Sequence, residues 1–139
     1  MKKITYLSSA LFVLALLLAS CQFSVNKTVA GKGSIKSVDV EDFARVVSGG
    51  GVQLVDVRTA DEHNQGAILG SLNIDVNSED FGSSSDSLLD KEKPVAIYCR
   101  SGRRSKKAAE VLSMMGFDVV ELDKGYNGWV EAGKKVMNF

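Results

Sequence analysis

Val95-Ala96-Ile97-Tyr98-Cys99-Arg100-Ser101-Gly102-Arg103-Arg104-Ser105 is the stretch on which the fold turns. Pro94 opens an apolar, β-favouring run that reads as a buried strand over 95–98. A glycine-containing turn follows over 99–104. From Ser105 to Met115, the residues Ala108, Ala109, Val111, Leu112 and Met115 recur at helical spacing, and Gly116 ends the helix. Cys99 then stands at the carboxyl end of a strand and just before a helix. Open α/β sheets bind their ligands at that place. Unpaired amides at a helix start carry partial positive charge, and successive amides in a turn make a nest for an anion. A thiolate there is stabilised, so Cys99 reads as a nucleophile with a lowered pKa. The alternative is a buried, inert core cysteine.

The charge around this turn agrees with an anion site. Arg100, Arg103, Arg104, Lys106 and Lys107 place five positive charges within eight residues, with no acid among them. The whole chain of 139 residues has 17 basic and 17 acidic side chains, so acids are in excess everywhere else. A basic patch on an otherwise acidic chain suits a small anionic substrate. Overall neutrality argues against a nucleic-acid partner held by bulk charge. One histidine and two cysteines, with no CxxC, leave no ligand set for a structural zinc. Lys106 and Lys107 read as a solvated helix face.

Working outward, strands alternate with helices. Residues 40–47 have helical apolar spacing, and the glycines at 49–51 stop the helix. Val52 to Val57 reads as a strand, and Thr59 with Glu62 forms a capping-box pattern. A short strand is expected at 72–74, a loop over 81–86, a short helix near 87–89 and a strand at 119–122. The last helix contains Trp129, Val130 and Ala132, with Trp129 in the core. These elements imply a single α/β domain over 35–139, with a mostly parallel central sheet and helices on both faces. Residues 21–34 are polar, contain glycine and lack periodicity, so they read as a flexible tether.

Residues 1–20 read as an address. Lys2 and Lys3 precede an apolar run over 10–19, too short to span a bilayer and the right length for the core of a secretory signal peptide. Leu18-Ala19-Ser20-Cys21 resembles the lipobox of bacterial lipoproteins. The resemblance implies cleavage before Cys21, lipid on its sulfur and a membrane-anchored protein of the bacterial cell envelope. Gln22, where an Asp would hold such proteins at the inner membrane, leans toward the outer one. With Cys21 lipidated, Cys99 keeps the one remaining thiol and has no partner for an internal disulfide.

The chain also resembles the rhodanese-like family of sulfurtransferase modules. The six residues Cys99-Arg100-Ser101-Gly102-Arg103-Arg104 match the family's active-site loop, and Ser105 continues the pattern. Leu54-Val55-Asp56-Val57-Arg58 resembles its Asp-Val-Arg strand end, with Asp61-Glu62 following. Residues 66–74 resemble its Gly-His-Ile-Pro-Gly-Ala stretch, and Gly116-Phe117, Leu122, Gly125-Tyr126 and Gly128-Trp129 resemble its C-terminal pattern. Ala67 stands where His is usual, Leu69 where Pro is usual, His63 at a position where an aromatic is common, and Lys124 replaces the first of two glycines. These departures bear on the geometry around 66–70, not on the nucleophile, and His63 reads as a packed or partly exposed side chain.

The resemblance implies a covalent, two-step sulfur transfer that requires no metal or organic cofactor. Cys99 takes sulfane sulfur from a donor such as thiosulfate, and an acceptor thiol or cyanide removes it from the persulfide. Arg100, Ser101, Gly102, Arg103 and Arg104 would bind the donor and persulfide. Asp56 and Arg58 are expected to hold the loop through hydrogen bonds, although Arg58 reads equally well as a surface ion pair with Asp61 or Glu62. Phosphatases with a Cys-x5-Arg signature place arginine where Ser105 stands here, and arsenate reduction would want further cysteines. A non-catalytic binding or sulfur-carrying module, or redox sensing by Cys99, are the other classes. A monomer suffices for the chemistry.

Overall fold

The computed structural model describes residues 31–139. The expected signal peptide, Cys21 and most of the tether lie outside the described residues.

Five parallel strands form the central sheet in the order β1-β6-β5-β2-β4: β1 (Ile35–Val38), β2 (Gln53–Asp56), β4 (Leu72–Asn73), β5 (Val95–Tyr98) and β6 (Val119–Leu122). β5 is central, and all four of its residues are fully buried, as the unbroken apolar run requires. A separate antiparallel pair joins β3 (Ala67–Ile68) to β7 (Val136–Met137).

Helices cover both faces, as expected. Side chains alternate along β5, and the two cores follow that alternation. Val95, Ile97 and Cys99 pack with Ala108, Ala109 and Leu112 of α4 (Arg103–Met114) and Phe81 of α3 (Phe81–Leu88). Ala96 and Tyr98 face the other way, toward Phe43 of α1 (Val40–Ser48) and Trp129 of α5 (Gly125–Glu131). Phe43 and Trp129 meet edge-on at 6.2 Å, and Trp129 Nε1–H donates to the Lys135 carbonyl, which confirms it as core. Asp39 caps α1 through the Asp42 amide, and α2 (Ala60–Asn64) begins with the full Thr59–Glu62 capping box.

Three expectations change. Residues 81–86 are not a loop: α3 runs over Phe81–Leu88. Its serines have weak helix propensity, but burial of Phe81 and Ser85 on one face overrides it, and Ser85 and Ser87 turn their hydroxyls back onto the Phe81 and Ser83 carbonyls. α4 starts at Arg103 rather than Ser105, because Gly102, at φ +91°, already ends the turn. The end of the supposed tether is fastened: the Gly33 amide donates to the Ser113 carbonyl at 2.8 Å, and Ser34 binds the Asp118 carboxylate through both amide and hydroxyl.

Among the described residues, no helix is long and apolar enough to cross a membrane.

Candidate active site

Cys99 leaves β5 at its carboxyl end with its sulfur buried, 1% of the residue being exposed. The Gly102 amide donates to Sγ at 3.2 Å, and the Ser105 hydroxyl lies 3.4 Å from it. Burial, the largest single influence, opposes the thiolate. The Ser105 hydroxyl and the amides of Ser105, Ser101 and Gly102 together outweigh it and hold the thiol below its ordinary pKa. The cradle requires glycine at 102: a Cβ there would sit 1.9 Å from the Asp123 carbonyl oxygen.

A second clamp on the loop was not anticipated from the sequence. The amides of Tyr126 and Asn127 donate to the carbonyls of Cys99 and Arg100, at 2.8 and 3.0 Å. Gly125, at φ +59°, allows this approach, because a Cβ there would fall 2.6 Å from the Cys99 carbonyl oxygen. Gly125-Tyr126 was visible as a motif, but its role depends on α5 arriving beside the loop from 26 positions downstream.

The loop arginines divide. Arg104 is engaged by Glu62 in a two-pronged pair, both contacts 2.7 Å. Arg104 lowers the Glu62 carboxyl to about 2. Arg100 and Arg103 are exposed and face open clefts. One cleft of about 270 Å³ is lined by Arg58, Glu62, Gln65, Gly66, Arg100, Tyr126 and Asn127. The other is lined by Arg100, Ser101, Arg103, Arg104 and Lys107. Arg100 borders both.

Asp56 and Arg58 do lie beside the Cys99 strand, with Asp56 in register with Tyr98. None of their hydrogen bonds reaches residues 99–104, however, and Arg58 is not a surface ion pair. Both are buried and bind each other, with Arg58 Nη2 2.6 Å from Asp56 Oδ2 and 2.6 Å from the Gly66 carbonyl oxygen. The Tyr98 hydroxyl donates to Asp56, His63 Nδ1 lies 3.0 Å from it, and the Arg58 guanidinium covers the Tyr126 ring at 4.2 Å. Burial pushes the Tyr98 phenol up, and the Asp56 charge adds to the effect. The segment with unusual Ala67 and Leu69 is well formed: Ala67 is buried in β3 and Leu69 points to solvent. Among the described residues no cluster of ligands could hold a metal ion.

The family model for the rhodanese-like domain matches residues 39–132. This chain is a member of that family. A protein named thiosulfate sulfurtransferase GlpE from Shewanella oneidensis is 33% identical over 100 residues, covering 71% of this chain and 96% of its own. Thiosulfate sulfurtransferase PspE of Escherichia coli is 36% identical over 67 residues, covering 48% of this chain and 64% of its own. The crystal structure of a rhodanese-related protein from Thermoplasma volcanium superposes with a TM-score of 0.65 at 28% identity, covering 73% of this chain and 97% of that one. In this rhodanese-like domain the turn after β5 is the one segment that joins a buried sulfur, an inward amide and exposed cations.

Proposed function

We propose that the protein is a rhodanese-type sulfurtransferase, favouring thiosulfate or a similar small anionic donor. The observation that carries the reading is the seat of Cys99: its sulfur accepts from the Gly102 amide at 3.2 Å, beneath the exposed Arg100 and Arg103. The thiosulfate sulfurtransferase names of its relatives support the same reading.

Arg100 and Arg103 draw the donor to the mouth of the loop. The Cys99 thiolate attacks the outer sulfur, the donor S–S bond breaks, and sulfite leaves with the bonding pair. The persulfide then rests against the Gly102 amide. A thiol or cyanide attacks its terminal sulfur and restores the Cys99 thiolate. The mechanism uses no cofactor, and a monomer performs it. Extending the lipobox resemblance, the domain works as a lipoprotein at the cell envelope, anchored through Cys21 and facing the extracytoplasmic side, with the outer membrane favoured.

Intact mass of the full chain with Cys21→Ser, before and after thiosulfate and then cyanide, tests the reading. A gain of one sulfur on Cys99, removed by cyanide as thiocyanate, is expected. No sulfur gain from thiosulfate, mercaptopyruvate or glutathione persulfide, in folded and reduced protein, would replace it with the binding-module reading.

A further inference from the structure

Two clefts flank the Cys99 loop, and Arg100 is the one residue that lines both. Their charges differ. The cleft on the Arg103 side has no acid in its lining, and its Arg100, Arg103 and Lys107 form no ion pair among the described residues. Such a wall suits a small dianion. The cleft between α2 and α5, about 270 Å³, has most of its charge already matched. Arg58 is bound to Asp56 and to the Gly66 carbonyl. Glu62 is bound through both oxygens to Arg104. Arg100 is left as the one unmatched charge.

What this second cleft offers instead is hydrogen bonding. The side-chain amides of Gln65 and Asn127 are exposed and have no protein partner among the described residues. An amide donates and accepts at once, as a peptide group does, whereas thiosulfate and cyanide only accept. A guanidinium pairs with a carboxylate through two parallel bonds. The cleft is also built onto the reactive loop. The amides of Tyr126 and Asn127 hold the Cys99 and Arg100 carbonyls at 2.8 and 3.0 Å, so a ligand lodged there lies beside the backbone that bears the sulfur. Its volume lies near the lower end, about 300 Å³, of small-molecule pockets. Cyanide would leave most of it empty.

We propose that the cleft between α2 and α5 is a separate acceptor subsite for a small peptide thiol, whose carboxylate meets Arg100 and whose amides meet Gln65 and Asn127. Its use in catalysis rests on the sulfurtransferase reading, but its occupancy by such a ligand does not. In the second half-reaction the acceptor thiolate attacks the terminal sulfur of the Cys99 persulfide. One S–S bond forms as the other breaks, and the electron pair of the broken bond stays on the Cys99 sulfur. The peptide leaves as its persulfide, and no outside oxidant or reductant takes part. Donor and acceptor thus use different clefts. The donor is chosen by charge and the acceptor by hydrogen bonds.

Two measurements on the full chain with Cys21→Ser test the subsite. In the first, S-methylglutathione, which cannot accept sulfur, is titrated into the resting protein and followed by NMR. Saturable shifts of the Gln65 and Asn127 side-chain amides are expected, and their absence at millimolar ligand overturns the subsite. In the second, Cys99 is charged with thiosulfate and loss of the added sulfur is followed by intact mass. At equal thiolate concentration, glutathione should discharge it faster than 2-mercaptoethanol, and with saturation. Replacing both amides, Gln65→Ala with Asn127→Ala, should raise the half-saturating glutathione concentration about tenfold, as the loss of two net hydrogen bonds implies. Discharge by glutathione relative to cyanide should fall by the same factor. Arg103→Ala should act on charging by thiosulfate instead. A rate linear in glutathione, an unchanged half-saturation in the double variant, or an equal fall with cyanide overturns the proposal. Saturable S-methylglutathione binding in protein that gains no sulfur from any donor would defeat the sulfurtransferase reading alone.

Discussion

β5 and β2 lie side by side, and each ends in a cluster of polar groups, yet the two clusters have opposite characters. Beyond β2, Asp56 is saturated: it accepts from the Arg58 side chain, the Arg58 amide and the Tyr98 hydroxyl, and it contacts His63. Beyond β5, the Cys99 sulfur is met by loop amides, Gly102 at 3.2 Å, and by the Ser105 hydroxyl, and the charges nearest its mouth, Arg100 and Arg103, point into open clefts. The same address at the carboxyl end of a parallel strand thus supports two roles. A cluster whose donors and acceptors are all spoken for fixes geometry. One that leaves charge and lone pairs unmet can bind and react.

Two substitutions would separate these roles most widely. Cys99→Ser should abolish sulfur gain from thiosulfate while leaving the melting temperature nearly unchanged, as intact mass and calorimetry would show. Asp56→Ala should do the reverse to the fold. It strands the buried Arg58, at a loss of about 3–5 kcal/mol in urea denaturation, while any molecules still folded should take up sulfur. If Asp56→Ala were as stable as the parent, the β2 cluster would not be the scaffold described. Gly102→Ala should come next, because it forces a left-handed backbone and drives a methyl into the Asp123 carbonyl. The strain alone is worth about 1–3 kcal/mol, and alkylation of Cys99 at neutral pH should slow with it.

The smallest expected effect falls at the bridge between the regions, the Glu62–Arg104 pair. The Glu62 carboxyl is lowered to about 2 in the folded chain, first by its hydrogen bond to Arg104. The stability this supplies is therefore present above the usual carboxylate pKa and disappears as pH falls toward 2. Partly exposed pairs are worth at most about 1 kcal/mol. Glu62→Gln should lower the melting temperature slightly at neutral pH, with the gap to the parent closing in acid. A gap that widened in acid would show that Arg104 is held by something else.

The sequence was most legible where local pattern and tertiary role coincide. β5 is apolar throughout because it is central, and its turn has glycine, arginine and cysteine for reasons that act within a few residues. Thr59 and Glu62 were readable as a cap, but the second task of Glu62, holding Arg104 from 42 positions away, leaves no local trace. The helix over Phe81–Leu88 was hidden by serines whose preference for turns is overcome by burial. The β3–β7 pair joins Ala67 to Met137 and has no short-range signal. Glu121 lies in a strand expected at 119–122, but its burial on the β6 face beside Ile97 leaves no local trace.

The fastening of Gly33 and Ser34 fixes where the described chain enters the domain. Their partners are Ser113, in the last turn of α4, and Asp118, just before β6, at the amino ends of the strands. Cys99 opens at the carboxyl ends. Anything upstream of Gly33 therefore joins the body at the pole farthest from the sulfur. A surface that gripped that end would have the reactive mouth turned outward, like a buoy riding above its mooring, open to whatever diffuses past.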